Sequence, residues 1–285
     1  MVILVHGGAG RVPDALREAV LEGVQRARDE GWRVLRQGGS AMDAVVAAVK
    51  VMEDDPVFNA GTGAALNRAG AAELDAAVMD GETLAFGGVA AVRDVKNPIE
   101  LAREVMNSEH ILLCGEGASV FARERGIPHH PPSLLVTERA LARWREVRKK
   151  GLKTSGTVGA VALDGQGRLA AATSTGGIVD KRVGRIGDTP LVGAGTYAEK
   201  GLGAASATGE GEFLARALVT YRSVSALRHL APEDALNEAL ALAKALGGEG
   251  GIILVTADGR PVWHRTSPQM SFAFRSDDDE GAGLE

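Results

Sequence analysis

Residues Thr157 to Leu163 alternate β-branched with small apolar side chains, and Asp164-Gly165 closes the run. That pattern reads as a strand buried in a core and ended by a turn. Its first residue follows Gly156 and a short basic and polar segment from Lys153, so a hydroxyl stands at the mouth of a core strand. Were the chain cut between Gly156 and Thr157, Thr157 would carry both a hydroxyl and a free α-amino group. Such an amine titrates near ~7.7–8.0, so at neutral pH part of it is neutral and can take the hydroxyl's proton. That makes an activated nucleophile without a separate histidine. Threonine is also a common strand residue, and glycine is ordinary punctuation before a strand. The rest of the chain decides between these readings.

A chain of 285 residues, 45% hydrophobic, can bury a large core. Its net charge of −5 is interspersed, so no basic face points to nucleic acid or a membrane surface. One cysteine, Cys114, excludes an internal disulfide and a cysteine-rich metal site. Met1 to His6 has the wrong flanks for a signal peptide, and no apolar run approaches ~20 residues. A cytoplasmic globular protein is expected. His6, His129 and His130 invite a zinc reading, which the single cysteine and the lack of HExxH spacing oppose.

In chain order, Val2–Val5 reads as a strand ending in the glycine-rich turn His6–Gly10. No Lys-Ser/Thr follows, and the spacing is not that of a dinucleotide loop. A helix follows Pro13, and Ser40 caps a second one running from Ala41 to about Glu53. Residues 54–63 form an irregular connection through Pro56 and two glycines. Leu74–Met79 and Thr83–Val92 read as a hairpin bulged at Gly87-Gly88. Shorter helices are predicted over Ile99–Met106, about Ala118–Arg125, and Glu138–Lys149. Beyond the junction, Thr157–Leu163 with Leu169–Thr175, and Gly251–Thr256 with Pro261–Arg265, form further hairpins. Residues 193–195 and 204–209 look like strand material, and helices start near Glu210 and at Pro232. Met270–Phe274 is the last predicted strand, and the acidic tail 276–285 is expected to be disordered. Hairpins argue for antiparallel pairing, and no composition break marks a linker. The expectation is one α+β domain, residues 1–285, with two stacked, mainly antiparallel sheets covered by helices.

Several stretches together resemble one family. They are Val5–Gly10, Phe58–Gly63, Leu74–Gly81, Val95–Ile99, Gly156–Asp164, Ala172–Gly177, Gly184–Pro190 and Thr208–Glu212. In this order they resemble the plant-type L-asparaginase/isoaspartyl peptidase family of N-terminal-nucleophile hydrolases, over nearly the whole chain. The resemblance implies a four-layer αββα sandwich. It also implies self-cleavage into segments 1–156 and 157–285, and a homodimer of the cleaved αβ units. Family members usually carry a longer linker before the nucleophile, whereas only Lys149 to Gly156 separates helix from junction here.

By the same resemblance Thr157 is the nucleophile, Thr175 its hydrogen-bonding partner, and Thr208 with Gly209 the oxyanion pair. Asn59 is expected near the nucleophile. Arg185 and Asp188 are expected to bind the α-carboxylate and α-ammonium of the substrate. A guanidinium fork and a carboxylate suit those two charges. Taken alone, each has a plainer reading: a strand-end hydroxyl, a helix start, a turn residue, a surface ion pair. The resemblance further implies a sodium ion held by the carbonyls of Met52, Glu53, Asp55, Phe58, Ala60 and Thr62, and no cofactor for catalysis. The implied substrates are L-asparagine and β-aspartyl dipeptides. Glycosylasparaginases and threonine aspartases share the machinery, and a non-catalytic ligand-binding module is the competing class.

Overall fold

In the computed structural model, which describes residues 1–151 and 156–285, the strand after Thr157 lies inside an eight-stranded sheet. The residues Lys153 to Ser155 before the junction lie outside the described residues. The chain first forms β1 (Val2–Ala9), α1 (Arg17–Arg36), α2 (Ala41–Asp54), β2 (Leu74–Asp80) and β3 (Phe86–Val92). Next come α3 (Pro98–Met106), β4 (Leu112–Cys114), α4 (Gly115–Glu124) and α5 (Glu138–Lys150). After the junction follow β5 (Val158–Leu163), β6 (Leu169–Thr175), β7 (Thr196–Glu199) and β8 (Gly203–Gly209). The helices α6 (Gly211–Ala217), α7 (Val219–Ala226) and α8 (Pro232–Ala245) come next. Last are β9 (Gly250–Thr256), β10 (Pro261–Arg265), β11 (Met270–Ser276) and β12 (Glu280–Leu284). The larger sheet has the order β12-β11-β1-β5-β6-β2-β3-β4 and the smaller one β10-β9-β8-β7. Among the described strands of the two sheets, only β3 and the short β4 pair in parallel.

Strand alternation sorts the side chains into layers. Ile3 and Val5 of β1, and Val158, Ala160 and Ala162 of β5, face α1 to α4 in one core. Val2, Leu4, Val161 and Leu163 face the other way, onto Ala204, Ile253 and Val255 of the smaller sheet. Ala205, Ala207, Ile252 and Leu254 then pack under α6 to α8. The result is four layers, αββα. Small residues let the sheets approach: a Cβ on Gly159 would collide with Ser206 Oγ and His6 Nε2. Strands from both sides of the junction interleave in the larger sheet, so a cut there would leave two segments locked together.

α2 carries the site's floor. Ser40 Oγ accepts from the Asp43 N–H at 3.1 Å, while the Ser40 N–H reaches the Asp43 carboxylate at 3.1 Å, a reciprocal cap. The helix stops before Pro56, which has no N–H to continue it.

The structure corrects five expectations. Residues 193–195 form a turn rather than strand, and β7 starts only at Thr196. The tail is not disordered: β12 pairs antiparallel with β11, Ser271 opposite Leu284 to Arg275 opposite Glu280. Phe272 and Phe274 lie over Gly283 and Gly281, where any Cβ would meet their rings at 2.7 Å. Aromatic cover replaces the missing glycine side chains. The bulge in the β2–β3 hairpin falls where Ala90 and Ala91 stand opposite Asp75, rather than at Gly87-Gly88. Ala91 takes a φ of 52° there, held by its N–H to Asp75 Oδ1 at 2.8 Å. β1 does not end at Val5 but runs through Ala9 past an irregularity between His6 and Gly8. The helix near Glu210 is two short ones, broken at Leu218, which is left-handed with φ 49°.

Candidate active site

Thr157 immediately precedes β5, and Thr175 ends β6 directly across from it, since Val158 pairs with Ser174. Both are buried, at 5% and 2% exposure. Thr157 Oγ1 donates to Thr175 Oγ1 at 3.1 Å, and Thr175 Oγ1 donates to the Gly156 carbonyl at 2.8 Å. The Gly177 N–H donates to Thr175 Oγ1 at 2.9 Å. Two acceptances and one donation exhaust what that hydroxyl can do, so its hydrogen is fixed on Gly156 O. Asn59, from the irregular loop after α2, gives the same carbonyl a second donor, Nδ2 to Gly156 O at 2.8 Å. Its orientation is set by Nδ2 to Gly177 O at 2.7 Å and by the Ala65 N–H to Oδ1 at 2.6 Å. The Gly156 carbonyl thus accepts from two fixed donors beside a hydroxyl, an arrangement able to stabilise an oxyanion.

Gly8 of β1 passes close to this junction. A Cβ there would stand 3.4 Å from Gly156 Cα, at a φ of 121° that favours glycine. Behind it, His6 Nε2 meets Ser206 Oγ at 2.8 Å, Ser206 meets Thr173 at 2.8 Å, and Thr196 donates to Thr173 at 2.8 Å. This buried chain ties the two sheets together under Thr157. Burial pushes the His6 imidazole down to about 3, partly offset by the Thr157 main chain, so His6 is neutral. His129 lies elsewhere, against Asp94 at 3.3 Å, and the His130 N–H bonds to the Asp94 carbonyl at 2.8 Å.

Thr208 and Gly209 close β8. Thr208 Oγ1 accepts from the Ala9 N–H at 3.0 Å, which leaves its own hydrogen to donate. Gly209 has φ 144°, and a Cβ there would stand 2.5 Å from the Glu249 carbonyl, so no other residue fits without movement.

Arg185 and Asp188 stand on the loop after β6, on one wall with Gly211. A Cβ on Gly211 would come within 2.7 Å of Asp188 Oδ1 and 2.9 Å of Arg185 Nη2. Gly177 joins this wall to Thr175, to which its N–H donates, its Cβ position being 3.1 Å from Arg185 Nη1. The two side chains form no ion pair with each other within 4.0 Å. Arg185 instead forks onto Glu212, Nε to Oε1 at 2.8 Å and Nη2 to Oε2 at 2.7 Å. Glu212 is a residue to which sequence reasoning gave no part in the site. In sequence it closes the family-like stretch Thr208–Glu212, which assigned it no role.

Other side chains that sequence reasoning missed hold the loop. Buried Lys181 donates to the Glu73 carbonyl at 2.9 Å, and the Gly184 N–H reaches the Glu73 carboxylate at 3.1 Å. Burial lowers the Lys181 pKa, offset by Asp75 and Glu73. Glu53 accepts from Ser174 Oγ at 2.6 Å and the Ile99 N–H at 3.1 Å, and burial pushes its carboxyl up to about 8.

Burial also raises the Asp188 carboxyl to about 7, with Arg185 opposing, and its Oδ2 has no partner. The folded pKa exceeds the unfolded one, so this group's stabilisation is complete below about pH 4 and lost as pH rises through about 7. Asp188→Asn is not subject to that loss. On uncut protein, its thermal stability should gain on wild type by roughly 3–4 kcal/mol between pH 4 and 8, at 1.36 kcal/mol per unit. A constant gap across that range would show that Asp188 is not held away from its preferred ionised state.

The loop of residues 52–62 presents neutral oxygens. Met52 stands four residues before Pro56, which has no N–H to give its carbonyl. Among the described residues no N–H reaches the carbonyls of buried Phe58 and Ala60. Those of Glu53 and Asp55 accept from Thr62 at 2.8 Å and Phe58 at 3.1 Å.

A cleft of about 530 Å³ opens beside Gly209, lined also by Ala9, Arg143, Ile178 and Phe213. A second, shallower depression of about 430 Å³ holds Arg185, Lys181 and Arg182, and the two share Ile178 and Glu212. Among the described residues no helix is long and apolar enough to cross a membrane.

A protein from Mus musculus named isoaspartyl peptidase/L-asparaginase is 46% identical over 100% of this chain and 91% of its own length. One of the same name from Xenopus laevis is 44% identical over 99% of this chain and 94% of its own length. A plant-type L-asparaginase from Pyrococcus horikoshii is 42% identical, with 97% of each chain covered. The asparaginase family model matches residues 1–284, through both sheets and every residue of the cluster around Thr157, so the chain belongs to the asparaginase family.

Proposed function

We propose that this chain cuts itself between Gly156 and Thr157 and then hydrolyses L-asparagine and β-aspartyl (isoaspartyl) peptides through Thr157. The observation that carries this reading is the line from Thr157 Oγ1 through Thr175 to Gly156 O, with Asn59 as second donor. In self-cleavage the Thr157 hydroxyl oxygen attacks the Gly156 carbonyl carbon. Charge develops on an oxygen already held by two donors. The C–N bond breaks, the hydroxyl proton ends on the Thr157 nitrogen, and water hydrolyses the resulting ester. Segments 1–156 and 157–285 remain joined through the shared sheet.

The freed amine then takes the hydroxyl proton as Thr157 Oγ1 attacks the substrate's side-chain carbonyl. Thr208 Oγ1–H and the Gly209 N–H meet the developing oxyanion. Ammonia leaves from asparagine, or an amine from a β-aspartyl peptide, and water releases aspartate from the acyl-enzyme. Asp188 accepts from the α-ammonium, whose charge offsets its burial. Glu212 takes the Nε–Nη2 edge of Arg185, so the α-carboxylate is left the Nη1–Nη2 edge. The names borne by full-length relatives support this choice of substrates.

The carbonyls of Met52, Glu53, Asp55, Phe58, Ala60 and Thr62 fit a hard cation such as sodium, being neutral oxygens partly without N–H partners. Held there, the ion takes no part in the reaction and steadies the loop that carries Asn59. A dimer of cleaved αβ units in the cytoplasm completes the reading. Light scattering on the matured protein tests the assembly.

Mass spectrometry of purified protein should give a new N-terminus at Thr157, followed by ammonia release from asparagine and leucine release from β-aspartyl-leucine. Maturation with neither activity would overturn the substrate assignment. Arg185→Ala should still mature, because the uncut chain offers it no α-carboxylate. Its kcat/KM for asparagine should fall about 10²-fold, as for loss of charge-assisted hydrogen bonds of roughly 1.5–3 kcal/mol each. Asparagine amidated at its α-carboxylate should be a poor substrate for wild type and lose much less in the variant. Equal losses on both would make Arg185 a support of the fold.

A further inference from the structure

We propose that Arg143 is the subsite for the free carboxylate of the leaving amino acid in a β-aspartyl dipeptide, an inference that rests on the activity proposed above. Ammonia needs no room on leaving, yet a cleft of about 530 Å³ opens beside Gly209, and Arg185 lines the other depression rather than this one. That volume is ordinary for a small-ligand pocket, roughly 300–1,000 Å³. The two depressions meet at Ile178 and Glu212, so a substrate whose aspartyl end lies at Arg185 extends its leaving group into the larger one. Arg143 lines that larger cleft.

Packing rather than ion pairing positions Arg143. It projects from the middle of α5, whose Trp144 and Val147 pack on Ala65 and Val179. Arg139, one turn earlier, is engaged by the Pro56 carbonyl. Arg143 makes no hydrogen bond or ion pair among the described residues, while Arg148 stacks on Trp144 at 4.7 Å. Burial lowers its pKa, the like charge of Arg139 adds to this, and Glu146 opposes it. A guanidinium stays charged under such conditions, so it is a half-buried cation without an ion pair among the described residues, the carboxylate of Glu146 on the same helix being taken by Lys150 at 2.7 Å. A carboxylate from the leaving residue supplies one, and the planar fork can take both of its oxygens. Phe213 and Ile178 on the cleft wall give an apolar leaving side chain somewhere to lie.

The test is kcat/KM of matured wild type and Arg143→Gln on asparagine, β-aspartyl-leucine, and β-aspartyl-leucine amide. The variant should lose about 10–100-fold on β-aspartyl-leucine, as for one charge-assisted contact. The loss should be confined to the substrate whose leaving group carries a carboxylate, and Arg143→Lys should restore only part of it. Equal losses on all three substrates, or an unchanged rate on β-aspartyl-leucine, would overturn the subsite. Wild type that matures yet hydrolyses none of them would instead overturn the activity beneath it.

Discussion

Thr157→Ala should yield a single uncut chain of 285 residues with no measurable hydrolysis. One hydroxyl is asked to do two jobs, and its removal ends both. In the uncut chain it is the hydroxyl proposed to attack the carbonyl that Thr175 and Asn59 already hold. Without the cut, no free amine exists to serve as base. The loss in turnover should be on the order of 10⁴-fold or more, the scale for removing a nucleophile that works as part of a unit. The fold should survive. Thr175 keeps the Gly177 N–H as donor and Gly156 O as acceptor, so no buried group is orphaned. Thr157→Ser should cut and turn over more slowly, because the missing methyl frees χ1 and loosens the nucleophile's aim. Intact mass and N-terminal sequencing read the result. Cutting of the alanine variant at the same bond would show that an outside protease does the work.

The layers were legible because their signals are local. β5 and β9 carry continuous apolar runs between turns, and the Ser40–Asp43 cap announces α2 within four residues. The tail was misread because local signals mislead there. Asp277 to Glu280 and two glycines look like disorder, and only the cross-strand rings of Phe272 and Phe274 make a strand of them. The site divides in the same way. The Gly156-Thr157 junction and the glycines around it are visible in sequence, since they mark strained or close-packed backbone. The partners of Arg185 and Glu53 are not. Which acid meets Arg185 depends on how β8 delivers α6 to the loop after β6, a contact 27 residues apart in sequence. The hydroxyls of Thr173, Thr196 and Ser206 likewise look like ordinary strand residues until two sheets bring them to His6.

Thr208→Val should lower kcat by about 10²–10³-fold, the expected effect of losing one preorganised oxyanion donor. The drop should appear in turnover more than in KM, because the donor acts on charge present only in the transition state. Self-cleavage should be affected far less. The Gly156 carbonyl proposed as the point of attack in the uncut chain is held by Thr175 and Asn59, so the two proposed reactions draw on different donors. Valine is close in size to threonine, but the exchange is not neutral for stability. Thr208 is fully buried and its Oγ1 accepts from the Ala9 N–H at 3.0 Å, so valine strands that donor at a cost of about 1–3 kcal/mol. Thr208→Ser separates the two effects. It keeps the acceptor for Ala9 and the hydrogen for the oxyanion, so it should recover most of the stability and most of the turnover together. Matured Thr208→Val with normal kcat would remove this hydroxyl from the chemistry and leave it as the partner of Ala9. A variant that fails to mature would mean that the uncut chain uses Thr208 as well, against the hydrogen bonds made by its Gly156 carbonyl.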